Sequence, residues 1–194
     1  MESGVIGMMV LTCFWFLLFA NNLGVLPPMT GYDVYGHAEY IHYIQEHGCL
    51  PLAQDGWEMH HPPLYYLLCA FILEVTGHSI GDPGAVSLLR VFGMCIGAGH
   101  CWLIWASLRM LFPGKSLEPF LGALLASALP PMLYLSQYLT NEGLCSALMS
   151  ASVYFCLRVL RHENAPLKWF AWLGACMGFA LLTKLTAIVL LPAV

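Results

Sequence analysis

The chain has 194 residues, of which 59% are hydrophobic and only 9% are charged, and its formal net charge is −4. A soluble domain carries roughly 25% charged residues, so the composition excludes an ordinary water-soluble domain and indicates an integral membrane protein. The few Lys and Arg residues form no basic patch, which argues against nucleic acid as a partner.

The first apolar run covers residues 5–26, and we predict that residues 1–26 contain the first transmembrane helix. A secretory signal peptide is the alternative, but this run has no basic residue before it and is longer than a signal-peptide core. At the other end the chain stops inside or just after an apolar run. We therefore expect that these residues are the N-terminal part of a longer protein.

Residues 27–61 form a polar, acidic insert, which we predict to be an extracytoplasmic loop with a juxtamembrane helix. The stretch 31–68 holds five acids and five of the eight histidines, without Lys or Arg. Asp33 and His37 are four residues apart, so a helix would place both on one face. Apolar residues continue that face, which is typical of a helix lying on the membrane surface.

Residues 62–194 are predicted to hold the remaining transmembrane helices. The apolar runs lie near residues 62–80, 86–110, 119–139, 142–160 and 166–191. Each has about the length that crosses a ~30 Å hydrocarbon core. Inside lipid only helices or a closed barrel satisfy the backbone, and these runs are too long for barrel strands. The predicted fold class is therefore an all-α, polytopic membrane bundle with a helical first extracytoplasmic loop.

The placement of Lys and Arg gives the predicted orientation. Basic residues near positions 109–115 and 158–168 favour the cytoplasmic side, and the acidic insert favours the other side. This orientation needs an odd number of crossings between residues 62 and 110, where two apolar runs are visible. We favour the interpretation that the run 62–80 is broken or peripheral; the alternative is that Arg109 and Lys115 violate the rule.

Acids and histidines of the insert are candidates for chemistry. Asp33 suits a base or a cation ligand, with a helix N-cap beside a solvated histidine as the alternative. Glu58 and His61 precede a double proline, and together they could bind a divalent cation or a phosphate. Their alternative interpretation is a plain interfacial loop.

Four further positions carry charge or amide groups next to hydrocarbon. Glu142 needs a partner or water there, and Asn141 beside it could instead cap the following helix. Arg90 and Lys184 are single cations in or near apolar runs, where each could bind a lipid phosphate or extend to the interface. Seven of the eight cysteines lie in apolar segments, which predicts no disulfide framework; Cys49 alone lies in the insert.

These residues together resemble the GT-C superfamily of membrane glycosyltransferases, which includes protein O-mannosyltransferases and the aminoarabinose transferase of lipid A. The resemblance rests on four short motifs in order. They are Gly31-Tyr32-Asp33 with His37 and Tyr40, Glu58 with His61-Pro62-Pro63-Leu64-Tyr65-Tyr66, Thr140-Asn141-Glu142-Gly143, and Leu182-Thr183-Lys184-Leu185-Thr186. Two positions depart from common family forms, because Val34 stands where many relatives have a second acid and Asn141 where many have Asp.

The resemblance implies transfer of a sugar from a polyprenyl-phosphate donor to an acceptor outside the cytoplasm. Asp33, with His37, would be the catalytic base, and Glu142 a further catalytic residue. Glu58, His61, Asn141, Arg90 and Lys184 would bind substrate, the two cations neutralising the departing lipid phosphate. A divalent metal ion held by Asp33, Glu58 and Glu142 is the one implied cofactor. The sugar and the acceptor stay open.

Two other functions remain possible from the sequence. A transporter would place acids inside helices and show an inverted repeat, whereas here the acids concentrate in one interfacial loop. A non-catalytic remnant of the glycosyltransferase fold is the other alternative.

Overall fold

The computed structural model describes residues 2–193, and over these residues the chain is helical without any strand. In order, the helices are α1 Glu2–Val25, α2 Val34–His47, α3 Leu64–Thr76, α4 Ala85–Leu111, α5 Leu117–Ser127, α6 Pro130–Leu135, α7 Glu142–Leu160, α8 Leu167–Thr183 and a 3₁₀ helix Leu185–Ala193. The predicted all-α fold class is confirmed.

Three helical stretches are long and apolar enough to cross a membrane. They are Gly4–Val25, Ala85–Leu111 and Glu142–Leu160. At about 1.5 Å per residue, these stretches cover roughly 28 to 40 Å, which matches the hydrocarbon thickness. The other apolar helices, α3, α5 and α8, are shorter than a membrane span. The chain is therefore a membrane protein, with fewer full-length spans among residues 2–193 than the apolar runs predicted.

The run 119–139, predicted as one helix, is divided into α5 and α6. Leu129 between them is extended, with φ −64° and ψ 133°. A residue before proline is pushed out of the helical region, and a proline inside a helix removes a backbone donor. Pro130 therefore ends α5 and begins a new helix in another direction.

The run 166–191 is also divided, because α8 ends at Thr183 and Lys184 is extended, with φ −157° and ψ 130°. The 3₁₀ helix follows directly. Unlike the break at Pro130, this break is marked by no proline or glycine in the sequence. It occurs at Lys184, the one charged residue of the run after Lys168.

Helix α3 occupies the weak run 62–80 and lies against α2. It has 13 residues and ends at Thr76. Gly77 follows as the C-cap with a φ of 71°, a conformation that glycine adopts without strain. The side chain of Gln45 on α2 donates to the carbonyl of His78 and accepts from the amide of Ile80. Helix α3 is thus packed beside the insert, and between residues 62 and 110 α4 is the one helix of spanning length.

The largest hydrophobic cluster binds the insert to the bundle. It joins α2, α3, the first turns of α4 and the loop before α7, and Ile41, Tyr66 and Leu139 within it are fully buried. Close packing continues at Gly36 of α2, where an added Cβ would lie 2.6 Å from Cγ of Glu58. The buried face of α2 and the end of the insert are therefore packed against the bundle.

Candidate active site

A cavity of about 170 Å³ lies where the insert meets the N-terminal end of α7 and the C-terminal end of α8. Its walls carry most of the residues that the sequence predicted. The lining consists of Tyr32, Asp33, His37, Glu58, His61, Leu135, Tyr138, Thr140, Asn141, Glu142 and Lys184. Of the predicted site residues, Arg90 alone is not part of this lining.

Asp33 lies immediately before α2 in a left-handed backbone conformation. Its φ is 54°, and among the described residues it is the one non-glycine with positive φ. Asp adopts this region more easily than most residues, at a cost of about 1 kcal/mol. Its side chain makes no capping hydrogen bond to α2, so it does not act as the N-cap that was the alternative interpretation. The exposed carboxylate therefore remains available at the cavity wall.

His37 is a buried, neutral group beside Asp33. Its side chain is almost inaccessible, and burial lowers its pKa to about 4, with the nearby His61 as a further cause. Its Nδ1 lies 2.9 Å from the hydroxyl of Tyr66 and 3.8 Å from Oε2 of Glu58. At neutral pH this imidazole therefore takes part in hydrogen bonds without carrying charge.

Glu58 and His61 form the pair that closes the insert. Nε2 of His61 lies 2.9 Å from Oε2 of Glu58. Burial lowers the pKa of His61 to about 4 and raises the pKa of Glu58. Because burial disfavours charge on both groups, the contact is best described as a neutral imidazole N–H donating to the carboxyl group.

The segment before α7 is held by the two tyrosines that follow the double proline. The backbone amide of Thr140 donates to the hydroxyl of Tyr65 at 3.1 Å, and Nδ2 of Asn141 donates to the hydroxyl of Tyr66 at 3.4 Å. Asn141 is fully buried and makes no capping bond to α7. From the sequence these tyrosines were named only as part of a motif, without a role at the site. The available signal was two adjacent tyrosines at the start of an apolar run.

Glu142, the first residue of α7, forms an ion pair with Lys184 at the end of α8. The side chains are 39% and 17% exposed, so the pair faces the cavity without being fully in water. This contact supplies the partner that a carboxylate so close to hydrocarbon needs.

Arg90, predicted to bind substrate, is placed elsewhere. Its side chain is 1% exposed and donates to the carbonyl oxygens of Gln137 at 2.7 Å, Leu26 at 3.2 Å and Asn22 at 3.4 Å. The carbonyl of Asn22 belongs to the last turn of α1 and that of Leu26 directly follows the helix, where a cation is favourable for the helix dipole. Arg90 therefore joins α1 to the segment before α7 and does not line the cavity.

The predicted metal ligands do not form a fitting donor set. Asp33, Glu58 and Glu142 line the same cavity, but Lys184 binds Glu142 and His61 binds Glu58. Across the described part of the chain, no group of three or more His, Cys, Asp and Glu side chains is arranged to hold a metal ion. An ammonium group thus stands beside the carboxylate that a divalent cation would need.

Residues 60–194, more than two thirds of the chain, match the model of the dolichyl-phosphate-mannose-protein mannosyltransferase family. The chain belongs to this family. The match contains Asn141, Glu142 and Lys184, and it confirms the resemblance to GT-C glycosyltransferases. No curated protein and no solved structure is significantly similar to the chain. Family membership identifies a membrane glycosyltransferase of the GT-C type and gives no support to a transporter.

The matched range begins at His60 and leaves out Asp33, His37 and Glu58. All three line the cavity shared with the matched segment. His37 also contacts the hydroxyl of Tyr66, and Glu58 contacts His61, so these two are joined to the matched segment by polar contacts as well. Their association with the family site therefore rests on geometry.

Proposed function

We propose that the cavity transfers a sugar from a polyprenyl-phosphate donor to an acceptor on the non-cytoplasmic side of the membrane. The supporting observation is that carboxylates from two distant parts of the chain meet in one cavity beside the ammonium of Lys184. A lipid-linked donor stays in the bilayer, so a cavity at its rim can hold donor and acceptor in reacting positions.

Asp33 is the proposed general base. Its carboxylate lines the cavity without a capping bond, so it can accept the proton of an acceptor group as that group attacks the anomeric carbon. The bond from that carbon to the phosphate oxygen breaks, and the polyprenyl phosphate leaves with both electrons. His37, neutral and buried, lines the same cavity four residues after Asp33 and would help to position the acceptor.

Lys184 is the proposed partner of the departing phosphate. Among the described residues it is the one Lys or Arg that lines the cavity. Lys184 alone would therefore neutralise the departing phosphate, a role that the sequence predicted for Arg90 and Lys184 together. Its pairing with Glu142 keeps the ammonium oriented before the donor arrives. A phosphate then replaces or joins the carboxylate as the ammonium's partner, where fixed positive charge stabilises the leaving group.

The proposal that the cavity lies on the non-cytoplasmic side is supported by the basic residues at the ends of α4 and α7. The first turns of α4 pack against the insert, and Glu142 at the beginning of α7 lines the cavity. Arg109 and Arg158, by contrast, lie in the last turns of α4 and α7. Basic residues at the far ends favour the cytoplasm, which leaves the cavity on the opposite side.

The test is transfer from a panel of radiolabelled polyprenyl-phosphate sugars by the full-length protein in membranes. Asp33→Asn, which keeps size and tolerates the left-handed backbone, should lower transfer by about 100-fold or more. Asp55→Asn is the matched control, because Asp55 lies in the same insert and accepts from the amide of Leu52 away from the cavity. Unchanged transfer with Asp33→Asn would remove Asp33 from its role.

A further inference from the structure

Tyr66 contacts two cavity residues although it does not line the cavity itself. It lies in the first turn of α3, is fully buried and stacks on the ring of Tyr40 with centroids 3.8 Å apart. Its hydroxyl is 2.9 Å from Nδ1 of His37 and 3.4 Å from Nδ2 of Asn141. One phenol group therefore joins the insert to the segment before α7, from behind the cavity wall.

The donors and acceptors around the Tyr66 hydroxyl indicate which group donates in its hydrogen bond with His37. The side-chain amide nitrogen of Asn141 can only donate, so the phenol oxygen of Tyr66 is its acceptor. The hydroxyl of Tyr66 has a single proton, and Nδ1 of His37 is the acceptor within reach. When the buried Tyr66 proton is satisfied in this way, Nδ1 carries a lone pair and the proton of a neutral His37 lies on Nε2.

We propose that Tyr66 is a positioning residue that fixes the Nε2–H tautomer of His37 and the amide orientation of Asn141. With Nδ1 turned toward Tyr66, His37 presents its Nε2–H edge to the cavity that it lines. With Nδ2 bound to the same hydroxyl, Asn141 keeps its carbonyl oxygen free. The wall thereby offers one donor and one acceptor in fixed positions.

The acceptor half of this arrangement points to the class of ligand. Oδ1 of Asn141 is buried and has no hydrogen-bond partner among the described residues. A buried, unsatisfied acceptor is costly and is relieved by a ligand that brings a donor. A donor and an acceptor on one wall suit the hydroxyl groups of a sugar. The ligand assignment rests on the proposed function, whereas the tautomer of His37 does not.

Tyr65 provides a matched control for Tyr66. It is also almost completely buried, and its hydroxyl contacts the same segment by accepting from the backbone amide of Thr140. Among the hydrogen bonds of the described residues it makes none to His37. Loss of a buried tyrosine hydroxyl can thus be compared with and without loss of the contact to His37.

The experiment records ¹⁵N spectra of histidine-labelled full-length protein in lipid nanodiscs, with His37 assigned by the resonances lost in His37→Gln. The wild type should show an unprotonated Nδ1 and a protonated Nε2 near neutral pH. Tyr66→Phe should shift both ring nitrogens toward a mixture of tautomers, and Tyr65→Phe should leave them at their wild-type positions. Thermal unfolding of each variant checks that the fold is kept.

A wild-type His37 with its proton on Nδ1 would overturn the proposal, and so would Tyr66→Phe spectra equal to wild type. Equal shifts in both tyrosine variants would show general repacking and overturn it as well. If Tyr66→Phe fails to fold, the wild-type spectrum still decides.

Transfer activity is a separate readout of the same proposal. Tyr66→Phe should lower kcat/KM for the sugar donor about 10-fold, equivalent to one lost, correctly oriented polar contact. Wild-type protein that transfers no sugar would overturn the proposed function and leave the tautomer result intact. The two failures are therefore distinguishable.

Discussion

Lys184, at the end of α8, forms an ion pair with Glu142, at the beginning of α7, although 42 positions separate them in the chain. The pair depends on the break between α8 and the 3₁₀ helix, where Lys184 is extended. It also depends on the close packing of α7 against α8. The cavity's positive and negative charges are thus held together by the arrangement of two helices.

The ion pair should contribute measurably to stability. Lys184→Met and Glu142→Gln should each destabilise the protein, and the double variant should lose less than the sum of the two. We expect a coupling free energy of about 1 kcal/mol, because the pair is partly shielded from water. Unfolding in a mixed detergent titration measures all four proteins.

The pair Lys115–Glu118 is the control for that cycle. Its side chains are 62% and 46% exposed at a distance of 3.3 Å. An exposed pair three residues apart should give a coupling of only about 0.3 kcal/mol. Equal coupling for the two pairs would contradict a shielded position for Lys184 and Glu142.

The backbone strain at Asp33 predicts an order of stability among variants. Asp33→Gly should be neutral or slightly stabilising, because glycine adopts the φ of 54° freely. Asp33→Ala should destabilise by about 1 kcal/mol, since alanine cannot compensate the left-handed conformation. Unfolding free energies at neutral pH test the order. Equal stability of the glycine and alanine variants would show that this conformation is not strained.

Burial of neutral His37 predicts a loss of stability in acid. Its pKa is about 4 in the folded protein, below the ordinary value of 6.5, so the unfolded chain binds more protons between those values. The contribution of neutral His37 to the unfolding free energy is complete above pH 6.5. It decreases as the pH falls toward 4, by on the order of 3 kcal/mol.

The measurement is the difference in unfolding free energy between wild type and His37→Gln across pH 4 to 7. This difference should decrease toward pH 4 as the advantage of the neutral imidazole is lost. His42→Gln is the control, because His42 is 57% exposed and pairs with Glu46 at 3.5 Å. A pH-independent difference for His37→Gln would contradict the lowered pKa.

Arg90 should behave as a structural residue. Arg90→Lys should destabilise by about 2 kcal/mol, because one ammonium cannot reproduce the guanidinium's bonds to three separate carbonyls. Donor KM should change little, since Arg90 does not line the cavity. Arg161→Lys, at an exposed position, is the control for stability. A large rise in donor KM without loss of stability would return Arg90 to substrate binding.

Chemical labelling of the native Cys49 thiol tests on which side of the membrane the insert lies. Cys49 is exposed in the insert, so a membrane-impermeant maleimide added to intact cells should label it. Lys115→Cys in a Cys49→Ser background should be labelled only after permeabilisation. The reverse pattern would place the insert in the cytoplasm.

The membrane class, the all-α fold and the acidic insert could be predicted from sequence because hydropathy and helix-breaking residues act locally. Pro130 and Gly77 interrupt helices by local rules as well, although the runs 119–139 and 62–80 were predicted without these breaks. The candidate residues Asp33, Glu58 and Asn141 were identifiable by residue type and motif. That they share one site was implied only by the family resemblance, because no local pattern encodes the contacts between distant segments that bring them into one cavity.

Arg90 and Lys184 show most clearly where sequence information ends. Each is a single cation in or beside an apolar run, and the local patterns give both the same choice of roles. Packing of α4 against the end of α1 surrounds Arg90 with backbone carbonyls, whereas the end of α8 carries Lys184 to Glu142 at the cavity. The sequence determined that two cations lie at the membrane; the tertiary structure decided which faces the site, because only packing sets the neighbours of a charge.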